Sequence, residues 1–285
     1  MATAYLELDC TLPSASEEWL LECLDGLVVL GSSLDTLPDG RLLARIYVDP
    51  TQHRDIAELV RRLRELGGEV SGPVERPEED WIAAYREHAV PFGVGRSWWI
   101  DPHPDRPTAA PTGRTRLVLE PRRAFGSGTH ESTRLALTAL EHRPPEGRSV
   151  LDVGTGSGVL ALAAERLGAR EIVALDIDPM CVWIARETAR QQEWEVRGVR
   201  LLAGTLDALA PGARFDVVVC NMVGDRMSPL LGLLADHLAP DGWAVLSGLL
   251  AVERAPLGER LSRCRLVAGD EFALGDWIAF EARHA

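Results

Sequence analysis

Val150-Leu151-Asp152-Val153-Gly154-Thr155-Gly156-Ser157-Gly158 is an apolar run carrying one acid and ending in three glycines at alternate positions, followed by an apolar, helix-forming stretch over 159–167. It reads as a buried strand, a tight turn and a helix. Glycines there let the backbone take positive φ and come close to a ligand, with the helix N-terminal amides pointing at it. The spacing is G-x-G-x-G, and the glycine that the dinucleotide fingerprint G-x-G-x-x-G requires one position later is missing. Twenty-two residues after Gly154, a second apolar run over 171–177 carries Asp176 near its end, where a carboxylate can take the two hydroxyls of a ribose.

Working outward, strand patterns over 116–119, 149–153, 171–177, 199–202, 215–220 and 243–247 alternate with helical patterns over 129–142, 158–167, 179–194, 227–238 and 257–264. A hairpin of 266–272 and 277–282 closes the chain. Such alternation predicts an α/β, Rossmann-like, doubly wound sheet with helices on both faces. Upstream, residues 5–10 alternate, and Ser14 with Glu17 has capping-box spacing for a helix carrying Trp19, Leu20, Cys23 and Leu24. Strands over 27–34 and 42–49 flank the turn Pro38-Asp39-Gly40, a helix carries Ile56, Leu59, Val60, Leu63 and Leu66, and a strand follows over 69–74. The order βαββαβ is that of a small ferredoxin-like α+β domain. The expected organisation is a ferredoxin-like substrate-recognition domain over 1–76, a proline-rich linker with a short helix over 77–111, and the doubly wound domain over 112–285.

The 285 residues are 46% hydrophobic and 26% charged, as in a soluble globular chain, and 43 acids against 30 bases give a formal net charge of -13. A bulk positive field that would gather nucleic acid or anionic lipid is absent, so neither direct nucleic-acid binding nor a membrane partner is expected. The five cysteines form no C-x-x-C pair and no cluster with histidine, which argues against structural zinc or a disulfide framework and for the cytoplasm. No basic leader precedes an apolar run, and no stretch reaches the length of a membrane span.

The acid before the turn, the G-x-G-x-G and the ribose acid together resemble the class I S-adenosylmethionine-dependent methyltransferases. Two further stretches narrow the resemblance. Leu119-Glu120-Pro121-Arg122-Arg123-Ala124-Phe125-Gly126-Ser127-Gly128-Thr129-His130-Glu131-Ser132-Thr133 is similar to the L-D-P-G-x-A-F-G-T-G-x-H-x-T-T motif of the PrmA family, and the run from Glu79 through Pro91-Phe92-Gly93-Val94-Gly95 to Arg96 also resembles it. That family methylates the large-subunit ribosomal protein L11. The resemblance implies S-adenosylmethionine as cofactor, L11 or a similar protein as partner, and methylation of a lysine side chain, an N-terminal amine or both. It departs from the motif at Arg122-Arg123 and at Asn221-Met222-Val223-Gly224, where the family shows N-I-x-A; both bear on the acceptor.

By motif, Thr133, Asp152, Gly154, Gly156, Gly158, Asp176 and Asn221 are the expected cofactor positions, with Asp152 beneath the methionine end. Asn221 is also the expected catalytic residue: at the carboxyl end of its strand, its amide oxygen can hold a neutral amine in line with the methyl group. No metal is expected, and the protein is expected as a monomer. His130 reads either as a general base or, the favoured reading, as a hydrogen-bonded lid or helix-start residue. Trp98-Trp99 reads as packing at the domain junction ahead of an aromatic wall at the acceptor, and Asp207 as an adenine contact or a helix cap. Competing functions are a cofactor-binding protein without turnover, a methyltransferase of small molecules, and a nicotinamide oxidoreductase, against which the missing third Rossmann glycine counts.

Overall fold

The computed structural model describes residues 4–13, 29–49, 53–77, 89–105, 108–120, 128, 130–192 and 196–285. The chain divides into two compact units, Met1–Glu87 and His88–Ala285.

In the first unit, β1 (Ala4–Leu12), β2 (Val29–Thr36), β3 (Leu42–Val48), α1 (His53–Glu65) and β4 (Glu69–Pro77) follow one another. The strands pair antiparallel in the order β2-β3-β1-β4. Period-two burial of Leu42, Ala44, Ile46 and Val48 faces Leu8, Cys10 and Leu12, and α1 covers them with Ile56, Leu59 and Leu63. Gly68 turns the chain from α1 into β4 where a Cβ would come within 2.5 Å of Cys10 Sγ and 2.6 Å of the Leu63 carbonyl oxygen. The described elements of this unit thus run strand, strand, strand, helix, strand, and the helix expected from Ser14 lies outside the described residues.

The second unit begins with β5 (Phe92–Val94), β6 (Trp98–Asp101) and β7 (Thr115–Val118), which form a sheet of their own, β5 and β6 antiparallel, β6 and β7 parallel. Two expectations are corrected here. Much of the segment read as linker, from residue 88 on, belongs to this unit, and the strand read near 116–119 joins this small sheet instead of the doubly wound one. The reason is buried chemistry that no periodicity displays: Arg116 Nε lies 2.8 Å from Asp101 Oδ2, with side chains 5% and 0% exposed. The Thr108 hydroxyl and the His103 amide also donate to Asp101, at 2.6 and 2.9 Å. These partners overcome the upward push of burial and hold the Asp101 carboxyl below the usual range. Trp98, 1% exposed, packs among Val94, Ile100, Leu117 and Leu140 in this unit's own core.

Then come α2 (Glu131–His142), β8 (Ser149–Val153), α3 (Val159–Arg166), β9 (Glu171–Asp176), α4 (Pro179–Arg190), β10 (Val199–Ala203), β11 (Phe215–Asn221), α5 (Leu231–His237), β12 (Leu238–Leu250), α6 (Arg254–Arg263), β13 (Leu266–Leu274) and β14 (Trp277–His284). The sheet order is β10-β9-β8-β11-β12-β14-β13, with β14 antiparallel to both neighbours and the other contacts parallel. Alternate strand residues feed opposite layers: Val150 and Val219 join Leu137, Leu140 and Leu160 in one core, Leu151 and Val218 join Leu231, Leu234 and Leu257 in the other. The helix expected over 227–238 is broken. A helical turn, Gly224–Met227, and a 3-10 turn, Ser228–Leu230, precede α5; Pro229 lies in the 3-10 turn and supplies no amide to an α-helical ladder, while Ser228 before it keeps a helical φ of -52° and ψ of -44°. The order reverses between β8 and β11, so the carboxyl ends of these two strands open a crevice.

Candidate functional site

Three elements meet at that crevice: the glycine turn after β8, the end of β11, and the first turn of α2. Gly154, Gly156 and Gly158 all take positive φ, 72°, 53° and 82°. A Cβ on Gly154 would lie 2.1 Å from Met222 Cε, and one on Gly158 would lie 2.9 Å from Ala185 Cβ. The first glycine thus admits the residue after Asn221, and the third admits α4.

The amides of the turn are engaged within the protein. Gly154 N and Thr155 N donate to the Leu175 carbonyl at 2.9 and 3.0 Å, Gly158 N donates to the Thr155 carbonyl at 2.8 Å, and Gly156 N donates to Asp176 Oδ2 at 3.0 Å. This corrects the expectation of ligand-facing amides at these positions. The turn contributes shape and close approach, and these four donors are satisfied by the Leu175 carbonyl, the Asp176 carboxylate and the turn's own Thr155 carbonyl.

Asp176 ends β9 half-buried, with Oδ1 accepting from Asp178 N at 3.0 Å. Two amides fill half of the roughly four lone-pair sites of a carboxylate, leaving capacity for a vicinal diol. Asp152 is 1% exposed; Oδ2 accepts the Thr155 hydroxyl at 2.6 Å, while Oδ1 is buried with no hydrogen-bond partner. Burial pushes its carboxyl up to about 6, the Thr155 hydroxyl pulls it down, and the Asp176 charge pushes it further up. Cys220 and Cys181 are also held as thiols: burial, then Asp152, pushes Cys220 up to about 12, and burial, then Asp176 and Asp178, pushes Cys181 up to about 11. Neither serves as a thiolate nucleophile. Among the described residues no group of three or more His, Cys, Asp or Glu is placed to hold a metal ion.

Asn221 closes β11 at 8% exposure, and its Nδ2 donates to Thr133 Oγ1 at 3.3 Å. Its Oδ1 is buried without a partner. Thr133, fully buried, lies in the first turn of α2, which His130 caps: His130 Nδ1 accepts the Ser132 amide at 3.2 Å and packs edge-on against Trp277, ring centroids 4.5 Å apart. His130 is therefore a helix-start residue. Ser247, opposite Asn221 in the β11–β12 register, donates through Oγ to the Ser132 carbonyl at 2.8 Å, tying α2 to β12.

The structure thus brings Asn221 and Thr133 into contact, joins Asp176 to Gly156, and places Asp152 beneath the turn. Asp207 stands apart, exposed in a 3-10 turn whose cap position is Thr205, and accepts the Thr205 hydroxyl at 3.4 Å. Sequence reasoning passed over Thr155 and Ser247, and read Met222 only as part of the departure after Asn221. The serine and threonine spacings carry no period of their own; what the sequence did not show of Met222 is its seat over Gly154.

A parallel sheet with its switch point beside a G-x-G-x-G turn, an acid at the end of the next strand and one antiparallel strand, β14, inserted between β12 and β13 define a class I methyltransferase. The family model described as "Ribosomal protein L11 methyltransferase (PrmA)" matches residues 43–285. A ribosomal protein L11 methyltransferase of Geobacter sulfurreducens is 36% identical over 304 aligned positions, covering 100% of this chain and 99% of that protein. One of Thermus thermophilus is 38% identical over 239, covering 76% and 88%. The crystal structure of a ribosomal protein L11 methylase from Lactobacillus delbrueckii subsp. bulgaricus superposes with a TM-score of 0.62 at 27% identity, over 68% of this chain and 98% of that one. The chain belongs to the ribosomal protein L11 methyltransferase (PrmA) family and is a methyltransferase.

Proposed function

We propose that the protein transfers methyl groups from S-adenosylmethionine to amino groups of ribosomal protein L11, on a lysine side chain, the N-terminus or both. The observation that carries this reading is Asn221 Oδ1, a buried acceptor with no partner, at the carboxyl end of β11. An unmet acceptor costs about 1–3 kcal/mol, and such groups are kept where a ligand supplies the missing donor.

The residues present fit S-adenosylmethionine. Asp176 retains acceptor capacity for the ribose diol, the acids Asp152 and Asp176 suit a cationic ligand, and the turn amides, already engaged, are not arranged for a pyrophosphate. When bound, this cofactor supplies the methyl group and leaves as a neutral thioether. Thr133 fixes the Asn221 amide through the 3.3 Å bond, so that Oδ1 faces the amine with one orientation. The incoming amine must be neutral; its N–H donates to Oδ1, which aligns the lone pair and gains strength as positive charge develops on nitrogen. One proton then leaves the methylated amine to solvent. Met222, seated over Gly154, walls this space.

The first unit, in this reading, recognises the protein substrate and raises the effective concentration of the acceptor amine. Purified L11 incubated with the enzyme and S-adenosylmethionine should gain the mass of one methyl group or several. No mass gain on L11, with gain on another protein or a small amine in parallel, would replace the acceptor.

A further inference from the structure

We propose that the two turns leaving the carboxyl ends of β11 and β12 form an apolar rim, made by Val223, Leu250 and Val252, that seats an apolar side chain adjacent to the acceptor amine in a basic segment of the protein substrate. This deepens the function proposed above and rests on it. Val223 is 50% exposed, Leu250 37% and Val252 84%. Single exposed apolar residues are ordinary, but these sit on two turns that touch: a Cβ on Gly224 would lie 2.0 Å from Glu253 Oε1.

Both turns are braced. Glu253 Oε2 accepts the Leu250 amide at 2.8 Å, and the Ala251 amide donates to the Asp276 carbonyl at 2.8 Å. The Ser228 hydroxyl donates to the Gly224 carbonyl at 2.6 Å and accepts from Arg260 Nη1 at 2.6 Å. A scaffold that holds three apolar side chains in water, on loops at the open end of the sheet, has the form of a recognition surface. Its place fits one occupant. Val223 follows Asn221 by two residues, and Leu250 follows Ser247, the register partner of Asn221, by three.

Charge selects the same partner. Asp225 and Arg226 follow Val223 in the chain, Glu253 follows Val252, and the Asp276 carbonyl accepts the Ala251 amide, while the guanidinium of Arg254 is engaged by Glu271 at 2.7 Å, that of Arg260 by the Ser228 hydroxyl at 2.6 Å, and the whole chain carries a formal -13. A basic protein segment is drawn in, and the rim then takes the apolar neighbour of the amine.

The test is Val252→Asp, alone and with Val223→Asp, in the full-length protein, with S-adenosylmethionine affinity by calorimetry, KM and kcat on L11, and sedimentation. Both positions are exposed, so the fold should hold and cofactor affinity should stay within about twofold, while KM for L11 rises at least about tenfold, as loss of one interface anchor implies. A KM unchanged in the double variant, with wild-type turnover normal, would overturn the rim alone. A wild-type dimer that the substitutions dissociate would also overturn it, making the rim a contact between copies of the chain. Absence of wild-type turnover on L11 would instead remove the acceptor assignment and with it the occupant named here.

Discussion

Asn221 Nδ2 lies 3.3 Å from Thr133 Oγ1, so the end of β11 and the first turn of α2, 88 residues apart in sequence, share one buried hydrogen bond. It leaves the other side of the amide, Oδ1, without a partner among the described residues and oriented by a fixed neighbour. Thr133→Val keeps the shape and deletes the acceptor. It should slow methyl transfer by roughly tenfold, and the combination with Asn221→Ala should fall short of the product of the single effects, since contacting residues couple by about 0.5–3 kcal/mol. A double-mutant cycle on single-turnover rates reads this; strict additivity would mean that Thr133 does not act through Asn221.

Asp176 holds the turn through Gly156 and keeps lone pairs for the ribose. Two charge-assisted hydrogen bonds at about 1.5–3 kcal/mol each predict that Asp176→Ala weakens S-adenosylmethionine about a hundredfold or more. Calorimetry showing less than a threefold change would remove the ribose assignment.

The two outer glycines of the turn differ in what surrounds them. Both take positive φ, which costs an L-residue roughly 1–2 kcal/mol. At Gly154 the atom in the way is the flexible end of Met222, whereas at Gly158 it is Ala185, whose Cα lies 3.2 Å from the added carbon. Gly158→Ala should therefore destabilise the protein more than Gly154→Ala, and Met222→Ala should recover part of the Gly154→Ala loss but none of that at Gly158. Urea denaturation of the four variants orders these effects, and equal losses at the two glycines would contradict the packing described.

Burial holds the Asp152 carboxyl up to about 6 against 3.8 for an unburied aspartate. Between those values the folded chain keeps a proton that the unfolded chain has lost, so this group's contribution to stability falls as pH rises through that window and levels off above it. The span corresponds to about 3 kcal/mol. Asp152→Asn lacks the titration, so its stability relative to wild type should improve by roughly 2–3 kcal/mol between pH 4 and pH 7. Denaturation at both pH values tests it; a difference independent of pH would show that the Asp152 carboxyl titrates alike in the folded and unfolded chain and is not raised by burial.

How much of this was legible beforehand follows from where period and spacing carry information. The strand, turn and helix around Gly154, the alternation that gives the parallel sheet, and the family motif from Leu119 to Thr133 are local patterns, and they led to the fold and to Asn221, Thr133 and Asp176. What stayed hidden is held by pairs distant in sequence or by backbone acceptors. Arg116 and Asp101 knit the segment read as linker into the second unit. Ser247 anchors α2 from 115 residues away. The Leu175 carbonyl absorbs the turn amides that sequence reasoning assigned to a ligand. Pro229 falls inside the stretch 227–238 that reads as one helix, and the chain turns 3-10 there.

Single-turnover methyl transfer to ribosomal protein L11 at saturating S-adenosylmethionine, wild type against Asn221→Ala, tests the central claim most directly. Removing one preorganised acceptor at the developing positive charge costs about 2.7–4 kcal/mol, so the variant should run roughly a hundred- to a thousandfold slower, with a smaller loss of cofactor affinity. A variant rate within about fivefold of wild type would make Asn221 a structural cap of β11 and contradict the mechanism.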